Sequence, residues 1–282
     1  MLKIGIESSA YFDMYDYEEG LKKLKRHGYN CIDYQNLSDS NCDLYKMNDM
    51  DFENYLRRLG ETAKQNGVHI WQAHGKWPVN DQTESGRRET IDLFIKGIKG
   101  CNYLDCRYFV IHPFMPYGWY DGQNADSVFD MNVKMLSELM PYARKFGVCV
   151  CVENLPFPEV AISRTEEVKK LVQKINDPHC KVCFDTGHAN VFHNDIASDI
   201  SLLGEDLACL HVHDNKGNWD QHLIPYQGNI KWSECFTALK GVGFNGCFSI
   251  ETHIAAAMPS PIKEEMQIAL ARLVRVMANE IR

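Results

Sequence analysis

The chain of 282 residues has no long hydrophobic run, and its apolar stretches are as short as residues 148–152. A membrane-spanning helix needs roughly 18 or more consecutive apolar residues, so the sequence predicts none. The first residues, MLKIGIESSAYFD, contain one lysine, two acidic residues and a short apolar run, which is not the pattern of a signal peptide. We therefore expect a cytoplasmic protein with no membrane partner.

Basic residues are fewer than acidic residues. Lysine and arginine number 30 against 38 aspartates and glutamates, which gives a formal net charge of −8. Affinity for a nucleic-acid backbone comes mostly from lysine and arginine. The balance therefore argues against a nucleic-acid partner, although an acidic total does not exclude a local basic groove.

Cysteine is plentiful, but its pattern excludes a disulfide framework. The 11 cysteines are an odd number and are scattered from Cys31 to Cys247. Cys180 and Cys183 form a CxxC motif, but it lies in the strand-like run CKVCFD without the turn that a redox pair or a zinc knuckle needs. We interpret the cysteines as small buried hydrophobic residues in a reducing compartment.

No linker rich in proline, glycine or serine divides the chain, which predicts a single domain over residues 1–282. Short apolar runs alternate with amphipathic segments, and near-continuous apolar runs are typical of parallel strands buried on both faces. The predicted strands are residues 2–7, 31–35, 68–74, 108–112, 148–154, 181–185, 208–214 and 247–251.

Helical periodicity fills the intervals between these strands. Apolar residues recur at helical spacing over residues 51–67, where Gly67 is a plausible stop, and a last helix is predicted with Ser260 as its cap and Pro261 at its first position. Eight strand–helix units in about 250 residues predict a (β/α)8 TIM barrel of the α/β class. A doubly wound open sheet is disfavoured, because the segment IESSAYF lacks a glycine-rich phosphate loop.

Metal-capable side chains gather where the predicted strands end, which is where the active site of such a barrel forms. Strands five to eight carry Glu153, Asp185, His211 and Glu251 at or near these ends. A single histidine or acid is better explained as a hydrogen-bonded polar residue, but four in succession need compensation because unpaired buried charge is costly. Mixed carboxylate and imidazole donors suit a divalent transition metal. We therefore predict that these four residues bind such an ion.

Side-chain alternation predicts what lies beneath this site. If the four predicted ligands point into the barrel, small side chains with the same parity, two or four residues before them, lie beneath them. Two residues along a strand span roughly 6–7 Å, so these side chains are too deep to bind the same ion. The predicted packing layer comprises Cys149, Cys151, Cys183, Cys209, Cys247 and Ser249.

Five motifs at the strand ends carry a family resemblance that covers nearly the whole chain. They are VIHPF (110–114), VCVENLP (150–156), KVCFDTGHA (181–189), LHVHDNKGNWDQHLIPYQGNIKW (210–232) and FSIET (248–252). Together they resemble the xylose isomerase-like TIM barrels. This superfamily includes sugar and sugar-phosphate isomerases and epimerases and, more distantly, apurinic-site endonucleases.

The resemblance implies that Glu153, Asp185, His211 and Glu251 bind one divalent ion, with Mn²⁺, Zn²⁺, Co²⁺ and Mg²⁺ left open, and that His188 contacts the substrate. Among the endonuclease relatives, a three-zinc cluster uses more positions. The further candidate ligands at those positions are His74, His112, His188, Asp220 and His222.

These observations predict a metal-dependent isomerase or epimerase acting on a sugar or sugar phosphate. One of Glu153 and Glu251 removes the proton beside a carbonyl and the other returns it, while the metal stabilises the enediolate charge. The predicted substrate-binding residues are His74, His112, His188, Lys216 and Trp119. The partner is a small carbohydrate, and relatives in this superfamily often form homo-oligomers.

Three alternatives remain open. The same site could dehydrate a keto-cyclitol of the inosose or dehydroshikimate type, because the first proton removal is shared. A zinc phosphodiesterase of the apurinic-site endonuclease type is less favoured, because the loop PFMPYGWYDGQNAD after the fourth strand has no basic residue to grip DNA. A non-catalytic sugar-binding barrel is disfavoured by the presence of both Glu153 and Glu251.

Overall fold

A computed structural model of the chain describes residues 2–193, 195–255 and 257–281. Within these ranges, eight strands form one sheet. The strands are β1 (Lys3–Glu7), β2 (Cys31–Tyr34), β3 (His69–His74), β4 (Tyr108–Ile111), β5 (Cys149–Glu153), β6 (Cys180–Asp185), β7 (Leu207–His211) and β8 (Cys247–Ile250). Each predicted strand is confirmed, although β7 ends at His211, three residues earlier than predicted.

The sheet runs in the order β7-β6-β5-β4-β3-β2-β1-β8, and every neighbouring pair is parallel. It closes on itself just beyond β7, where Val212 forms a parallel bridge with Ile250. The Val212 N–H donates to the carbonyl of Ser249 at 2.8 Å, and the Glu251 N–H donates to the carbonyl of Val212 at 3.1 Å. The predicted (β/α)8 barrel is therefore confirmed.

Helices follow the strands around the outside of the barrel. They are α1 (Ser9–Phe12), α2 (Tyr17–His27), α3 (Asp43–Lys46), α4 (Asp49–Gln65), α5 (Glu84–Tyr103), α6 (Ala125–Phe146), α7 (Thr165–Ile175), α8 (Thr186–Val191), α9 (Ile196–Leu203), α10 (Trp232–Gly241) and α11 (Ser260–Glu280), with 3₁₀ turns at Gln35–Leu37, Asp121–Asn124 and Gly204–Asp206. None of the described helices combines the length and apolar character that a bilayer crossing requires.

Local sequence signals set the helix ends. At the start of α4 the Asn48 side chain accepts the N–H of Asp51 at 3.0 Å, and after its end Gly67 adopts a positive φ of 67°. The predicted cap of α11 was wrong by one residue. The carbonyl of Pro259, not of Ser260, accepts the first helical N–H bonds, from Ile262 at 2.9 Å and Lys263 at 3.0 Å.

Four of the six side chains predicted for the packing layer cluster inside the barrel, and the other two, Cys247 and Ser249, are buried outside that cluster. Val110, Cys149, Cys151, Cys183 and Cys209 form a separate buried cluster, in which the sulfurs of Cys151 and Cys209 lie 3.8 Å apart. All eleven cysteines are free. Burial raises the pKa of the Cys151, Cys183 and Cys209 thiols, so they are neutral packing groups at neutral pH.

Close packing between α5 and β4 makes a test of the fold. A Cβ atom at Gly97 would lie 2.4 Å from Cζ of Phe109, a fully buried ring, whereas a Cβ at Gly241 meets no atom within 4 Å. Alanine is favoured over glycine in a helix by about 0.5–1 kcal/mol. Overpacking costs about 1–3 kcal/mol, so we expect Gly97→Ala to lower the free energy of unfolding.

The control Gly241→Ala should leave the free energy of unfolding unchanged or slightly higher. Urea titration of both variants measures the difference. Equal stability of the two variants would show that α5 does not approach β4 as closely as described.

Candidate active site

Four side chains from consecutive strand ends converge at one end of the barrel. Ligand atoms of Glu153, Asp185, His211 and Glu251, here called the tetrad, all lie within 4.8 Å of one another. Within the described part of the chain, Oδ2 of Asp185 and Oε2 of Glu251 are buried without a hydrogen-bond partner. Three carboxylates and one imidazole form a donor set that suits a divalent cation. The tetrad predicted from the sequence is thus brought together in space, and its residues fit the metal that they were predicted to hold.

His211 lies at the centre of the tetrad. Its Nδ1 is 2.7 Å from Oε1 of Glu153 and 3.0 Å from Oε2 of Glu251. Its Nε2 faces Oδ2 of Asp33, on β2, at 2.7 Å. Sequence reasoning missed Asp33. The only signal was an acid within the apolar run CIDYQ, and its approach to β7 depends on how the barrel closes.

Adjacent opposite charges shift the titration of these groups. Burial alone would raise the pKa of Glu153, but His211 and His112 beside it hold that pKa well below its ordinary value. Burial alone would lower the pKa of His211, yet nearby anions, including Glu153 and Glu251, keep that pKa well above its ordinary value. The Glu153 carboxylate is therefore ionised because positive charge lies beside it. A divalent cation would supply such balancing charge.

The strand ends β5 and β6 are tied together by side-chain bonds. Asn154 donates to the carbonyl of Asp185 at 3.0 Å and accepts the Asp185 N–H at 2.8 Å. The Asp185 carboxylate also caps α8, where Oδ1 accepts the His188 N–H at 2.6 Å. His188 is anchored through Nδ1, 2.8 Å from the carbonyl of Asn154, so its Nε2 faces the cavity.

A second group of donors lies beside the tetrad. Ligand atoms of His188, His213, Asp220 and His222 also lie within 4.8 Å of one another. His222 is held at both nitrogens, by the carbonyl of Glu251 at 2.8 Å and by Oδ2 of Asp220 at 2.9 Å. Burial opposes its positive charge, but Asp220 and Glu251 raise the pKa of His222 to about 9. The predicted further ligands His188, Asp220 and His222 therefore belong to one cluster.

His213 connects the two groups, although it was not predicted as a ligand. Its Nε2 lies 3.0 Å from Oδ1 of Asp185 and 3.5 Å from Oδ1 of Asp220. Its ring stacks on His222 at 4.0 Å, and His222 stacks on His253 at 4.0 Å. The signal for His213 was present in the sequence, since it shares side-chain parity with His211 two residues before it.

A third group shares Glu153 with the tetrad. His74, Glu153 and His211 form a set of close donor atoms. Nε2 of His74 lies 3.3 Å, and Nε2 of His112 lies 3.2 Å, from Oε2 of Glu153. All nine ligand-type positions inferred from the endonuclease resemblance therefore lie in the three donor groups or next to Glu153.

A cavity of about 380 Å³ opens above these groups, a size suited to a small molecule. Trp77 and Phe157 form an aromatic wall, with ring planes 3° apart and centroids 6.3 Å apart. No lysine or arginine lines it among the described residues. The lining comprises Gln35, Ser38, Asp39, His74, Trp77, His112, Glu153, Leu155, Pro156, Phe157, His188, Asp220, His222 and Glu251.

The predicted substrate-binding residues fall in different places. His74, His112 and His188 line the cavity. Trp119 lies behind the aromatic wall, with its ring edge-on to Trp77 at 5.7 Å. Lys216 is exposed and does not line the cavity, and its backbone N–H donates to the Gln221 side chain at 2.8 Å. Its position gives no support to the predicted substrate contact.

Sequence reasoning also missed six lining residues. Three lie in the loop after β2 and three in the loop after β5, namely Gln35, Ser38, Asp39, Leu155, Pro156 and Phe157. Neither loop carries a motif that places a given side chain over the barrel axis.

Comparisons with known proteins agree with this geometry. A family model described as "Xylose isomerase-like TIM barrel" matches residues 21–273. An uncharacterized protein of Methanocaldococcus jannaschii is 31% identical over 192 residues, which cover 66% of this chain and 65% of that protein. This chain thus matches slightly less than two thirds of that relative's length.

Solved structures with low sequence identity share the fold. A crystal structure of D-psicose 3-epimerase in the presence of D-fructose superposes with a TM-score of 0.81 at 17% identity, covering 98% of this chain and 99% of that chain. A crystal structure of the IOLI protein with a binding zinc atom gives a TM-score of 0.79 at 20% identity, covering 99% of this chain and 98% of that chain.

The charge of the tetrad can be tested at Asp185. Asp185→Asn keeps an oxygen that can cap α8 but removes one negative ligand. A ligand present at 100 times its Kd stabilises the native state by about 2.7 kcal/mol. We expect Co²⁺ to raise the urea midpoint of the wild type and to raise that of Asp185→Asn much less.

Asp121→Asn is a matched control. Asp121 is fully buried, accepts the Ala161 N–H at 2.9 Å and does not line the cavity. Its other oxygen has no partner among the described residues. The control should respond to Co²⁺ as the wild type does. An equal Co²⁺ response in Asp185→Asn and the wild type would exclude Asp185 as a ligand.

Proposed function

Because the chain belongs to the xylose isomerase-like TIM barrel family, we propose that it is a metal-dependent sugar isomerase or epimerase. The observation that carries the proposal is the tetrad, with two of its carboxylates, Glu153 and Glu251, exposed to a cavity large enough for a small sugar. The fold shared with a D-psicose 3-epimerase supports the same substrate class.

The residues of the tetrad have the roles that proton transfer beside a carbonyl requires. Glu153, Asp185, His211 and Glu251 hold the metal, which when bound supplies Lewis acidity toward a carbonyl and its neighbouring hydroxyl. Glu153 and Glu251 both line the cavity, so one can accept the proton from the carbon and the other can return a proton. Which glutamate acts first depends on the stereochemistry of the substrate.

The cavity wall positions the substrate. His74, His112 and His188 offer ring nitrogens to hydroxyl groups. Trp77 and Phe157 present apolar faces against which a sugar ring can pack, and they keep water from the reacting carbon. Since no lysine or arginine lines the cavity among the described residues, we propose an unphosphorylated sugar. Lys76, next to Trp77, is already paired with Asp81 at 2.6 Å.

A zinc phosphodiesterase is the second candidate, and one observation favours it. The three donor groups could hold more than one ion, as the endonuclease resemblance implies. The lack of basic residues in the cavity lining weighs against a phosphate backbone as substrate. Dehydration of a keto-cyclitol also stays a candidate, because it begins with the same proton removal. Cytoplasmic location, homo-oligomerisation and the absence of a nucleic-acid partner stay predictions.

Replacing either proposed proton carrier tests the reaction class. General acid–base catalysis contributes about 10²–10⁴-fold to a rate, so we expect Glu153→Gln and Glu251→Gln each to lose at least that much turnover. The assay is a panel of ketohexoses in D₂O, in which NMR follows both product formation and loss of the carbon-bound proton. The exposed Glu205, near the start of β7 at the other end of the barrel, provides the control Glu205→Gln.

Retention of turnover in both cavity variants would remove the proton-transfer assignment. Proton loss followed by elimination of water from a keto-cyclitol would instead identify a dehydratase.

Metal content distinguishes the two main candidates. Elemental analysis of the purified full chain should give one divalent metal per chain for the isomerase or epimerase. Three zinc ions per chain, together with nicking of a duplex that contains an abasic site, would establish the phosphodiesterase instead. The nicking assay needs physiological salt, because binding to a phosphate backbone is strengthened artificially at low salt.

A further inference from the structure

One buried carboxylate lies beside the tetrad without lining the cavity. Asp33, on β2, is 1% exposed and is not part of the cavity lining. Its Oδ2 accepts from Nε2 of His211 at 2.7 Å and from Nε2 of Gln72 at 3.1 Å. Its other oxygen, Oδ1, has no hydrogen-bond partner among the described residues.

Three other histidines around the cavity each turn Nδ1 to a backbone carbonyl. Nδ1 of His74 faces the Gly75 carbonyl, Nδ1 of His188 faces the Asn154 carbonyl, and Nδ1 of His222 faces the Glu251 carbonyl, each at 2.8 Å. A carbonyl oxygen only accepts, so Nδ1 carries a proton, and Nε2 is the nitrogen turned toward the carboxylates of the cavity.

His211 reverses this arrangement. Its Nε2 is turned to Asp33, and its Nδ1 is turned to Glu153 and Glu251. An ionised carboxylate only accepts, so Nε2 carries a proton toward Asp33. Nδ1 faces carboxylates too, but these belong to the predicted metal ligands Glu153 and Glu251, so Nδ1 is the nitrogen placed to share a metal with them. Of these four histidines, His211 is the one whose ring is oriented by a side chain, and the other three are oriented by backbone carbonyls.

We propose that Asp33 is a positioning residue that fixes the Nε2–H tautomer of His211 and strengthens its Nδ1 as a metal ligand. The inference rests on the proposed function, because it concerns the same metal site. Outer carboxylates of this kind fix ring orientation and raise the basicity of a ligating histidine, and their loss typically weakens metal binding 10–100-fold.

Gln72 completes the arrangement by holding the carboxylate. Its Nε2 donates to Oδ2 of Asp33 at 3.1 Å and lies 3.4 Å from the carbonyl of Leu210, the residue before His211. The side chain therefore bridges β3, Asp33 and the strand that carries His211. If Asp33 only supported the fold, a neutral side chain would serve better, because a buried carboxylate oxygen without a partner, such as its Oδ1, destabilises the fold.

Two substitutions separate the effects of orientation and charge. Because both hydrogen bonds end on Oδ2, the amide oxygen of Asp33→Asn can occupy the same place and keep them while the charge is lost. Asp33→Ala removes both the hydrogen-bond acceptor and the charge. Asp121→Asn is again the control, as an equally buried aspartate away from the cavity.

The first measurement is the dissociation constant of Co²⁺ for each full-length protein, obtained by competition with a chelator. We expect Asp33→Ala to bind Co²⁺ about 10–100-fold more weakly than the wild type. Asp33→Asn should lie between the two, and Asp121→Asn should match the wild type. Unchanged Co²⁺ affinity in both Asp33 variants would overturn the proposal. If Asp33→Ala does not fold, unchanged affinity in Asp33→Asn alone would overturn it.

The second measurement reads the tautomer directly. Long-range ¹H–¹⁵N NMR of the zinc-loaded wild type should show His211 with its proton on Nε2 and its Nδ1 bound to zinc. A His211 ring that carries its proton on Nδ1 would overturn the positioning role and leave the proposed function intact. A wild-type protein that binds neither Co²⁺ nor Zn²⁺ would overturn both.

Discussion

The site depends on how buried negative charge is neutralised at one end of the barrel. Glu153, Asp185 and Asp33 are each no more than 1% exposed, and Glu251 lies beside them. An isolated ionised carboxylate in an apolar interior is so costly that it normally takes up a proton instead. Here the pKa of Glu153 is well below its ordinary value, because burial is outweighed by adjacent imidazole groups. Imidazolium protons or a divalent cation can supply the balancing charge, and only the cation leaves the carboxylates free to act as ligands and bases.

The fold concentrates these charges because the strands are parallel and closed. Consecutive strand ends must meet at one rim, and alternate residues along each strand must point inward. Beneath the tetrad, small neutral thiols such as Cys151 and Cys209 fill the barrel without competing for the ion. Above it, the loop after β5 supplies Phe157, whose ring lies parallel to that of Trp77 in the cavity wall. The rim therefore carries the metal-capable side chains, while the interior below it provides packing.

Much of this could be predicted from the sequence, and the omissions have physical causes. Short apolar runs identify the strands, and acidic or imidazole side chains at their ends identify Glu153, Asp185, His211 and Glu251, since both signals are local in the chain. Asp33 and His213 act through neighbours that are distant in the chain. Asp33 meets His211 because β1 and β8 bring β2 and β7 toward each other around the barrel. Such contacts follow from strand tilt and closure, which periodicity does not encode.

The most direct test of the central claim is anomalous X-ray diffraction at the cobalt edge from crystals of the full chain grown with Co²⁺. If the tetrad binds the ion, we expect an anomalous peak about 2.0–2.2 Å from Nδ1 of His211 and from carboxylate oxygens of Glu153, Asp185 and Glu251. Crystals saturated with Co²⁺ that show no peak among these four side chains would contradict it.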